Sequence, residues 1–156
     1  MVTVKFPRPV RRLVVSSRIR AALERHVAET HPAEAGGYLR CEREGARLVA
    51  TEAVPVANDA DEPKRRFETT VDERAPGLPR AFYHSHTLPS APAGLTETDR
   101  TQIPERFALV MFAPHGEVYT LRAFRRGLTR WRQLPVDDRP EDGLEFPASR
   151  PVTDPR

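Results

Sequence analysis

The chain has 156 residues, of which 38% are apolar, and this combination suits one domain with its own core. No run of about 18 or more apolar residues occurs, so the sequence argues against a membrane-spanning helix. The formal net charge is only +3, and the basic residues are scattered rather than interleaved with aromatic ones, which argues against nucleic acid or a membrane surface as the partner.

The N-terminal sequence and the cysteine content favour a cytoplasmic protein. The start, MVTVKFPRPVRRLVV, lacks the apolar core of a signal peptide, and its basic residues follow rather than precede its short apolar stretches. The single cysteine, Cys41, has no second cysteine with which to form an internal disulfide, as is typical of a reducing compartment. We therefore expect a cytoplasmic location.

Residues 17–30 are predicted to form the first helix. Ser16 or Ser17 suits its N-cap, and Pro32 ends it because a proline disfavours helical geometry in the residue before it. The residues that recur at helical spacing, and would form its apolar face, are Ile19, Ala22, Leu23, His26 and Val27.

Strands are predicted for the middle of the chain. Residues 38–42 and 48–56 flank a Glu-Gly turn signal at 44–45 and should form a hairpin. The polar stretch 58–64 is a predicted loop, and a short strand is predicted over 67–71. Residues 81–83 are apolar and aromatic, and they predict a strand that leads directly into a pair of histidines.

The chain ends in two further strands and a polar segment. Residues 107–112 are predicted to be a buried strand, and 118–124 return from the turn at 113–116. From residue 127 the sequence becomes basic and then rich in proline and aspartate. We therefore divide the chain into a domain over 1–130 and a partly disordered tail over 131–156.

The motif that carries most chemistry is His84-Ser85-His86, followed later by Asp99. Side chains alternate along a strand, so the two histidines point to the same side and can offer two imidazole nitrogens to one ion. Asp99 lies where a helix is predicted to begin at Thr96, and it can supply a carboxylate oxygen as the third ligand. Three protein ligands with one open position are typical of a catalytic zinc site.

Three stretches together resemble the JAMM/MPN-domain zinc metalloproteases, in particular their small stand-alone bacterial members. They are HPAEAGGYL at 31–39, YHSHT at 83–87 and TETD at 96–99. The resemblance covers roughly residues 12–126. It implies an α+β fold of the cytidine-deaminase-like type, in which a long N-terminal helix and a short metal-site helix accompany a curved, mostly antiparallel sheet.

The resemblance also implies a role for each site residue. His84, His86 and Asp99 would hold Zn²⁺, and Glu34 would take a proton from the attacking water and pass it to the leaving amine. Thr96 stands at the family's serine position, where its hydroxyl would donate to the oxyanion. Two extra residues in the loop after His86 leave Glu97 as an alternative third ligand.

The function that the resemblance implies is zinc-dependent hydrolysis of a peptide or isopeptide bond. The expected substrate is a ubiquitin-like or sulfur-carrier protein with a Gly-Gly tail, cut after its C-terminal glycine. A binding module without turnover and a zinc hydrolase of a small amide are the alternatives. Residues 72–79 leave little room for the family's full helix, so one side of the sheet is open to a second subunit and a homodimer is an option.

Overall fold

The computed structural model describes residues 8–69 and 75–139. Within these ranges the chain forms two helices, α1 and α2, and eight strands, β1 to β8. In chain order they are β1 (Arg12–Ser16), α1 (Ser17–Thr30), β2 (Gly36–Glu44), β3 (Arg47–Val56), β4 (Arg80–His86), α2 (Glu97–Gln102), β5 (Phe107–Phe112), β6 (Thr120–Arg126), β7 (Trp131–Leu134) and β8 (Val136–Arg139). Neither helix is long and apolar enough to cross a membrane.

Helix α1 has the bounds that its sequence predicts. Ser16 is the N-cap, and its Oγ accepts a hydrogen bond of 3.2 Å from the backbone N–H of Ile19. Ile19, Leu23 and Val27 are buried at helical spacing and pack into the main hydrophobic core. This one apolar stripe fixes the helix against the sheet.

All eight strands belong to one mixed sheet with the order β7-β6-β5-β4-β2-β3-β1-β8. Strand β1 pairs in parallel with both β3 and β8, and β4 pairs in parallel with β5, whereas the other pairings are antiparallel. Strand β8 at one edge also approaches β6 near the other edge, so the sheet curls into a nearly closed barrel. The main core lies on the α1 side, and a smaller cluster around Leu95, Ile103 and Phe124 lies on the opposite face.

The predicted α+β class with a long N-terminal helix is wrong. The protein is mostly sheet, and its helices have only 14 and 6 residues. Two strands that the sequence pattern did not reveal, β7 and β8, extend the sheet at its two edges and bring it close to closure. The α1 helix therefore covers part of a curled sheet and does not form a layer of its own.

Strands β7 and β8 lie within the segment that we divided off as a tail. Residues 140–156 lie outside the described ranges, so the division of the chain at residue 130 stays a prediction. The strand predicted over 67–71 is not formed by residues 67–69, which follow an irregular path, and 70–71 also lie outside the described ranges.

The connection between the parallel strands β4 and β5 positions the site. It contains α2, and it returns the chain over the face that carries the smaller core. Because parallel strands need such a crossover, the residues at its helix are brought close to the end of the first strand. Asp99 on α2 thereby reaches the end of β4, where the two histidines lie.

Candidate metal centre

Strand β4 presents both histidines to one face of the sheet. His84 and His86 are separated by one residue, and both are almost fully buried, with exposed fractions of 2% and 3%. Ser85 between them points to the other side, where its Oγ accepts a 2.9 Å hydrogen bond from the backbone N–H of Ala35. The alternation predicted from the sequence is confirmed.

Helix α2 begins with a reciprocal pair of hydrogen bonds. The Thr96 Oγ1 accepts from the Asp99 backbone N–H at 3.0 Å, and the Asp99 Oδ2 accepts from the Thr96 backbone N–H at 2.9 Å. This capping box fixes the rotamer of Asp99. The carboxylate therefore stands at the start of the helix and faces the sheet rather than solvent.

Three side chains converge at this point: His84, His86 and Asp99. The Nε2 atoms of the two histidines are 3.1 Å apart. Each Nε2 lies 3.2 Å from a different carboxylate oxygen, Oδ1 for His84 and Oδ2 for His86. Ligand atoms about 2.0–2.1 Å from a tetrahedral ion would be roughly 3.3 Å apart, so the two nitrogens have nearly the spacing of two corners of a zinc tetrahedron, with the carboxylate beside both.

Hydrogen bonding also suits His86 to bind a metal. The Nδ1–H of His86 donates to the backbone carbonyl of Pro92 at 2.8 Å, which leaves the Nε2 lone pair directed at the group. Two imidazole nitrogens and a carboxylate then meet at contact distance, and electron pairs so close together are stable only when protons or a cation lie between them. Two imidazoles and a carboxylate form a donor set that suits a divalent metal ion, zinc among them.

The pKa values of the group reflect this crowding. Burial lowers the pKa of His84. Burial opposes protonation of His86 too, but its hydrogen bonds to Asp99 and Pro92 outweigh that effect and raise its pKa. Burial would also raise the pKa of Asp99, yet hydrogen bonds from both histidines hold it well below its usual range. Asp99 is therefore ionised, as a metal ligand must be.

Glu34 lines the same cleft from the segment between α1 and β2. It has an exposed fraction of 4%, and burial raises its pKa from 4.5 to about 8. The neighbouring His86 lowers this pKa and the charge of Asp99 raises it, so Glu34 is close enough to interact with both. A carboxyl group poised near neutrality beside possible metal ligands is suited to proton transfer.

The segment that carries Glu34 is irregular, and hydrogen bonds from elsewhere in the chain hold it. The Glu34 N–H donates to the Pro63 carbonyl at 2.7 Å, and the Glu34 carbonyl accepts from Asn58 Nδ2 at 3.0 Å. The next residue, Ala35, exchanges two hydrogen bonds with Ser85. The backbone of Glu34 is thus tied to the strand that carries both histidines.

Asn58 also shapes the wall of the cleft. Its Nδ2 lies within hydrogen-bond distance of the Pro63 and Arg66 carbonyls, and its Oδ1 accepts from the backbone N–H groups of Ala60 and Glu68. This is why the stretch around 58–68, a predicted loop for most of its length, forms a fixed turn. Apart from the turn preference of asparagine, no local pattern in the sequence indicates this role.

The cleft has a volume of about 750 Å³, and its lining includes the three side chains of the metal group. Its floor includes Tyr38 and Phe82, and the side of α2 and its following turn form one wall. The opposite wall includes Phe67, whose ring lies only 2.5 Å from the position that a Cβ of Gly36 would take. Glycine at 36 therefore lets this aromatic wall pack directly on the sheet backbone.

The structure brings the predicted site residues to one place. His84, His86 and Asp99 form the ligand group, while Glu34 and Thr96 line the cleft beside it. Glu97, the alternative ligand, is exposed and does not belong to the group. Sequence reasoning missed the supporting roles of Asn58 and Ser85, because both depend on contacts between residues far apart in the chain.

Comparison with known proteins defines the fold and leaves the activity open. The sequence matches no protein-family model and no curated protein. The structure is similar to the solution structure of a protein from Desulfitobacterium hafniense, with a TM-score of 0.60 and 14% identity over 83% of this chain and 94% of that one. It is also similar to the solution structure of a protein from Salinibacter ruber, with a TM-score of 0.59 and 18% identity over 83% and 93%.

A further likeness is to the crystal structure of a JAB1/MPN domain protein from Archaeoglobus fulgidus, with a TM-score of 0.48 and 16% identity over 79% of this chain and 97% of that one. The two solution structures show that the fold occurs elsewhere. The case for a function rests on the side chains of the metal group and its cleft.

Proposed function

We propose that the protein is a zinc-dependent peptidase or isopeptidase that cuts after the C-terminal glycine of a ubiquitin-like or sulfur-carrier protein. The observation that carries the proposal is the buried group of His84, His86 and Asp99, with Glu34 lining the same open cleft. The two histidines would bind the ion through Nε2 and Asp99 through its carboxylate. The bound zinc would supply Lewis-acid activation of a water molecule and of the scissile carbonyl.

Glu34 is the proton carrier in this proposal. Glu34 lines the cleft, and hydrogen bonds to Pro63 and Asn58 hold its backbone. Its carboxylate can therefore accept a proton from water and deliver it to the leaving amine. A neighbouring cation lowers a carboxyl pKa, as His86 already does here. With the ion bound, Glu34 is therefore ionised and able to act as a base at neutral pH.

Thr96 is the proposed oxyanion donor. Its hydroxyl oxygen accepts the Asp99 backbone N–H, and its hydroxyl hydrogen remains free to donate into the cleft. A donor that is fixed by a helix cap requires little reorganisation when negative charge develops on the carbonyl oxygen. The cap and the oxyanion role are thus compatible in one residue.

The shape of the cleft supports a thin, extended substrate. It is lined by aromatic rings from the sheet and from the Phe67 segment, by residues of α2, and by the metal group. A tail that ends in two glycines has no side chains to collide with this lining, so its last carbonyl can approach the metal group. The body of a folded carrier protein would then stay outside.

The test combines metal analysis with cleavage of carrier-protein fusions. We expect about one zinc per chain, which is lost on His84→Ala or His86→Ala because two remaining ligands compete poorly with a chelator. Glu34→Gln should keep its zinc and lose activity on the order of a hundredfold or more, because the amide preserves shape but cannot accept the proton.

Stoichiometric zinc in the His84→Ala/His86→Ala double variant would contradict the site. Full activity of Glu34→Gln would contradict the proposed base. Stable zinc binding without cleavage of any fusion with a Gly-Gly tail would favour a binding module that has no turnover.

A further inference from the structure

Helix α2 carries Asp99 although it has little packing of its own. It contains six residues, and none of them is buried. An isolated helix of this length does not form in water, so contacts outside it must fix its position. Two apolar residues that flank it, Leu95 and Ile103, are buried in the smaller core and provide part of the attachment.

The C-terminal end of α2 has a second attachment, made by polar groups. The last carbonyls of a helix have no partners within the helix and need donors from elsewhere. Here the indole N–H of Trp131 donates to the Arg100 carbonyl at 3.1 Å. The guanidinium of Arg126 donates to the Ile103 carbonyl and lies within 3.5 Å of the Glu105 carbonyl.

The two donors also support each other. The guanidinium carbon of Arg126 lies 4.5 Å from the centre of the Trp131 ring, which is the geometry of a cation–π contact. They are opposite each other on the antiparallel strands β6 and β7. Arg126 and Trp131 thus act together at the C-terminal end of α2, remote from the capping box. We call this pair of donors the clamp.

We propose that Arg126 and Trp131 are positioning residues for Asp99, which hold α2 so that its carboxylate stays at contact distance from His84 and His86. This inference rests on the proposed metal site but not on hydrolysis. Trp131 is the single tryptophan of the chain, so its fluorescence is a built-in reporter of the clamp. Zinc binding at Asp99 should change that emission, because the indole is hydrogen-bonded to the short helix that carries the ligand.

The first measurement is zinc affinity, determined by competition with a chromophoric chelator. Arg126→Ala should lower the zinc affinity about tenfold. Arg126→Lys should recover part of that loss because it keeps a cationic donor. Trp131→Phe replaces the indole by a smaller aromatic ring without the N–H donor, so a loss of about threefold is expected. Losses of this size are typical when a group that orients a metal ligand is removed.

Matched controls separate this effect from general destabilisation. Arg122→Ala removes the same charge from the same strand, and Leu128→Ala removes an exposed side chain from the turn between β6 and β7. Both should bind zinc like the parent. With Co²⁺ as the probe, the visible absorption of Arg126→Ala should shift toward that of Asp99→Ala, whereas the controls should match the parent.

Hydrogen exchange of the zinc-free protein provides a readout that does not depend on metal binding. The amides of α2 should exchange faster in Arg126→Ala and Trp131→Phe than in the parent, while those of β4 should not change. Equal exchange in all variants would overturn the clamp. Faster exchange with unchanged zinc affinity, or an equal loss of affinity in Arg122→Ala, would overturn the positioning role.

If the parent protein binds zinc and cuts nothing, the proposed function fails and the inference stands. If the parent binds no zinc, the site fails and the positioning role fails with it, even where the exchange data support the clamp. Trp131→Phe keeps an aromatic ring beside Arg126 and leaves that arginine in place, so it remains informative if Arg126→Ala does not fold.

Discussion

The two halves of the candidate metal centre are built in different ways. We call β4 with the Glu34 segment the strand half, and α2 with its cap the helix half. In the strand half, His84, His86 and Glu34 have exposed fractions of 4% or less and are tied into the middle of the sheet. In the helix half, the Asp99 side chain is 16% exposed, and the helix is held mainly at its ends.

This difference indicates where the site should open first. Local opening needs less free energy where few apolar contacts must be broken, and α2 contributes no buried residue. The strand half should therefore be preorganised in the absence of metal, while binding of the ion should chiefly order the helix half. Four substitutions, two in each half, would sharpen or break this comparison.

The largest expected effect is on metal binding by the helix half. Asp99→Ala should lower the zinc affinity more than about a hundredfold, because it removes one of the three proposed ligands. Glu97→Ala should leave zinc affinity nearly intact, since Glu97 is exposed and lies outside the ligand group. Affinities of the two single variants, measured side by side, decide this. Loss in Glu97→Ala with retention in Asp99→Ala would mean that the helix half rearranges on binding.

The next effect concerns catalysis from the helix half. Thr96→Ala should lower kcat on the order of a hundredfold, because it removes the proposed oxyanion donor, and should cost about 1 kcal/mol of stability from the lost cap. Thr96→Ser keeps both hydrogen bonds and should stay within a few-fold of the parent. Steady-state kinetics and thermal melts of this pair separate the two roles. Equal kcat in all three proteins would leave Thr96 as a cap alone.

In the strand half, Asn58→Ala should lower kcat about tenfold with zinc affinity nearly unchanged. The substitution removes the donor to the Glu34 carbonyl and lets the base shift while both histidines stay in place. Thr87→Val is the matched control. It removes only a hydrogen bond to the Lys64 carbonyl in the cleft wall, so it should change KM rather than kcat. A kcat for Asn58→Ala equal to that of the control would show that Glu34 is positioned without Asn58.

The smallest effect is a pH-dependent stability difference in the strand half of the zinc-free protein. Burial raises the pKa of Glu34 from 4.5 to about 8, so between these values the folded protein keeps a proton that the unfolded chain has released. The contribution of protonated Glu34 to the free energy of unfolding is fully present below pH 4.5 and is lost as the pH rises toward 8. Glu34→Gln has no such proton to lose.

Thermal melts with chelator present measure this difference. The gain in the free energy of unfolding of Glu34→Gln over the parent, obtained from the melts, should grow from pH 5 to pH 8 and reach on the order of 2 kcal/mol. Glu68→Gln, an exposed position on the cleft wall, is the control and should show no such trend. A gain that does not vary with pH would mean that Glu34 is ionised in the zinc-free protein.

Local signals predicted the parts of the molecule that depend on near neighbours in the chain. The bounds of α1 follow from the Ser16 cap and a single apolar stripe, and α2 starts at the Thr96 cap as predicted. The alternation in His84-Ser85-His86 is enough to place both imidazoles on one face. The ligand group follows from these local features because its residues lie within one crossover of the chain.

The features that the sequence did not reveal depend on distant pairings. Strand β8 pairs with β1, more than a hundred residues earlier, and no local pattern specifies that partner. The predicted fold class is wrong because it lacks the two edge strands, which decide whether the sheet stays open or curls. Asn58 likewise looks like an ordinary turn residue until Glu34 is brought beside it.

The Phe67 wall has a consequence for how this cleft can change. Since the ring fills the space that a side chain at Gly36 would need, the place of this cleft-lining ring depends on the glycine beneath it. Even a methyl group at position 36 must displace the aromatic ring. Variation at this one glycine is therefore a simple route by which a lineage could reshape the cleft while every chemical group of the site stays the same.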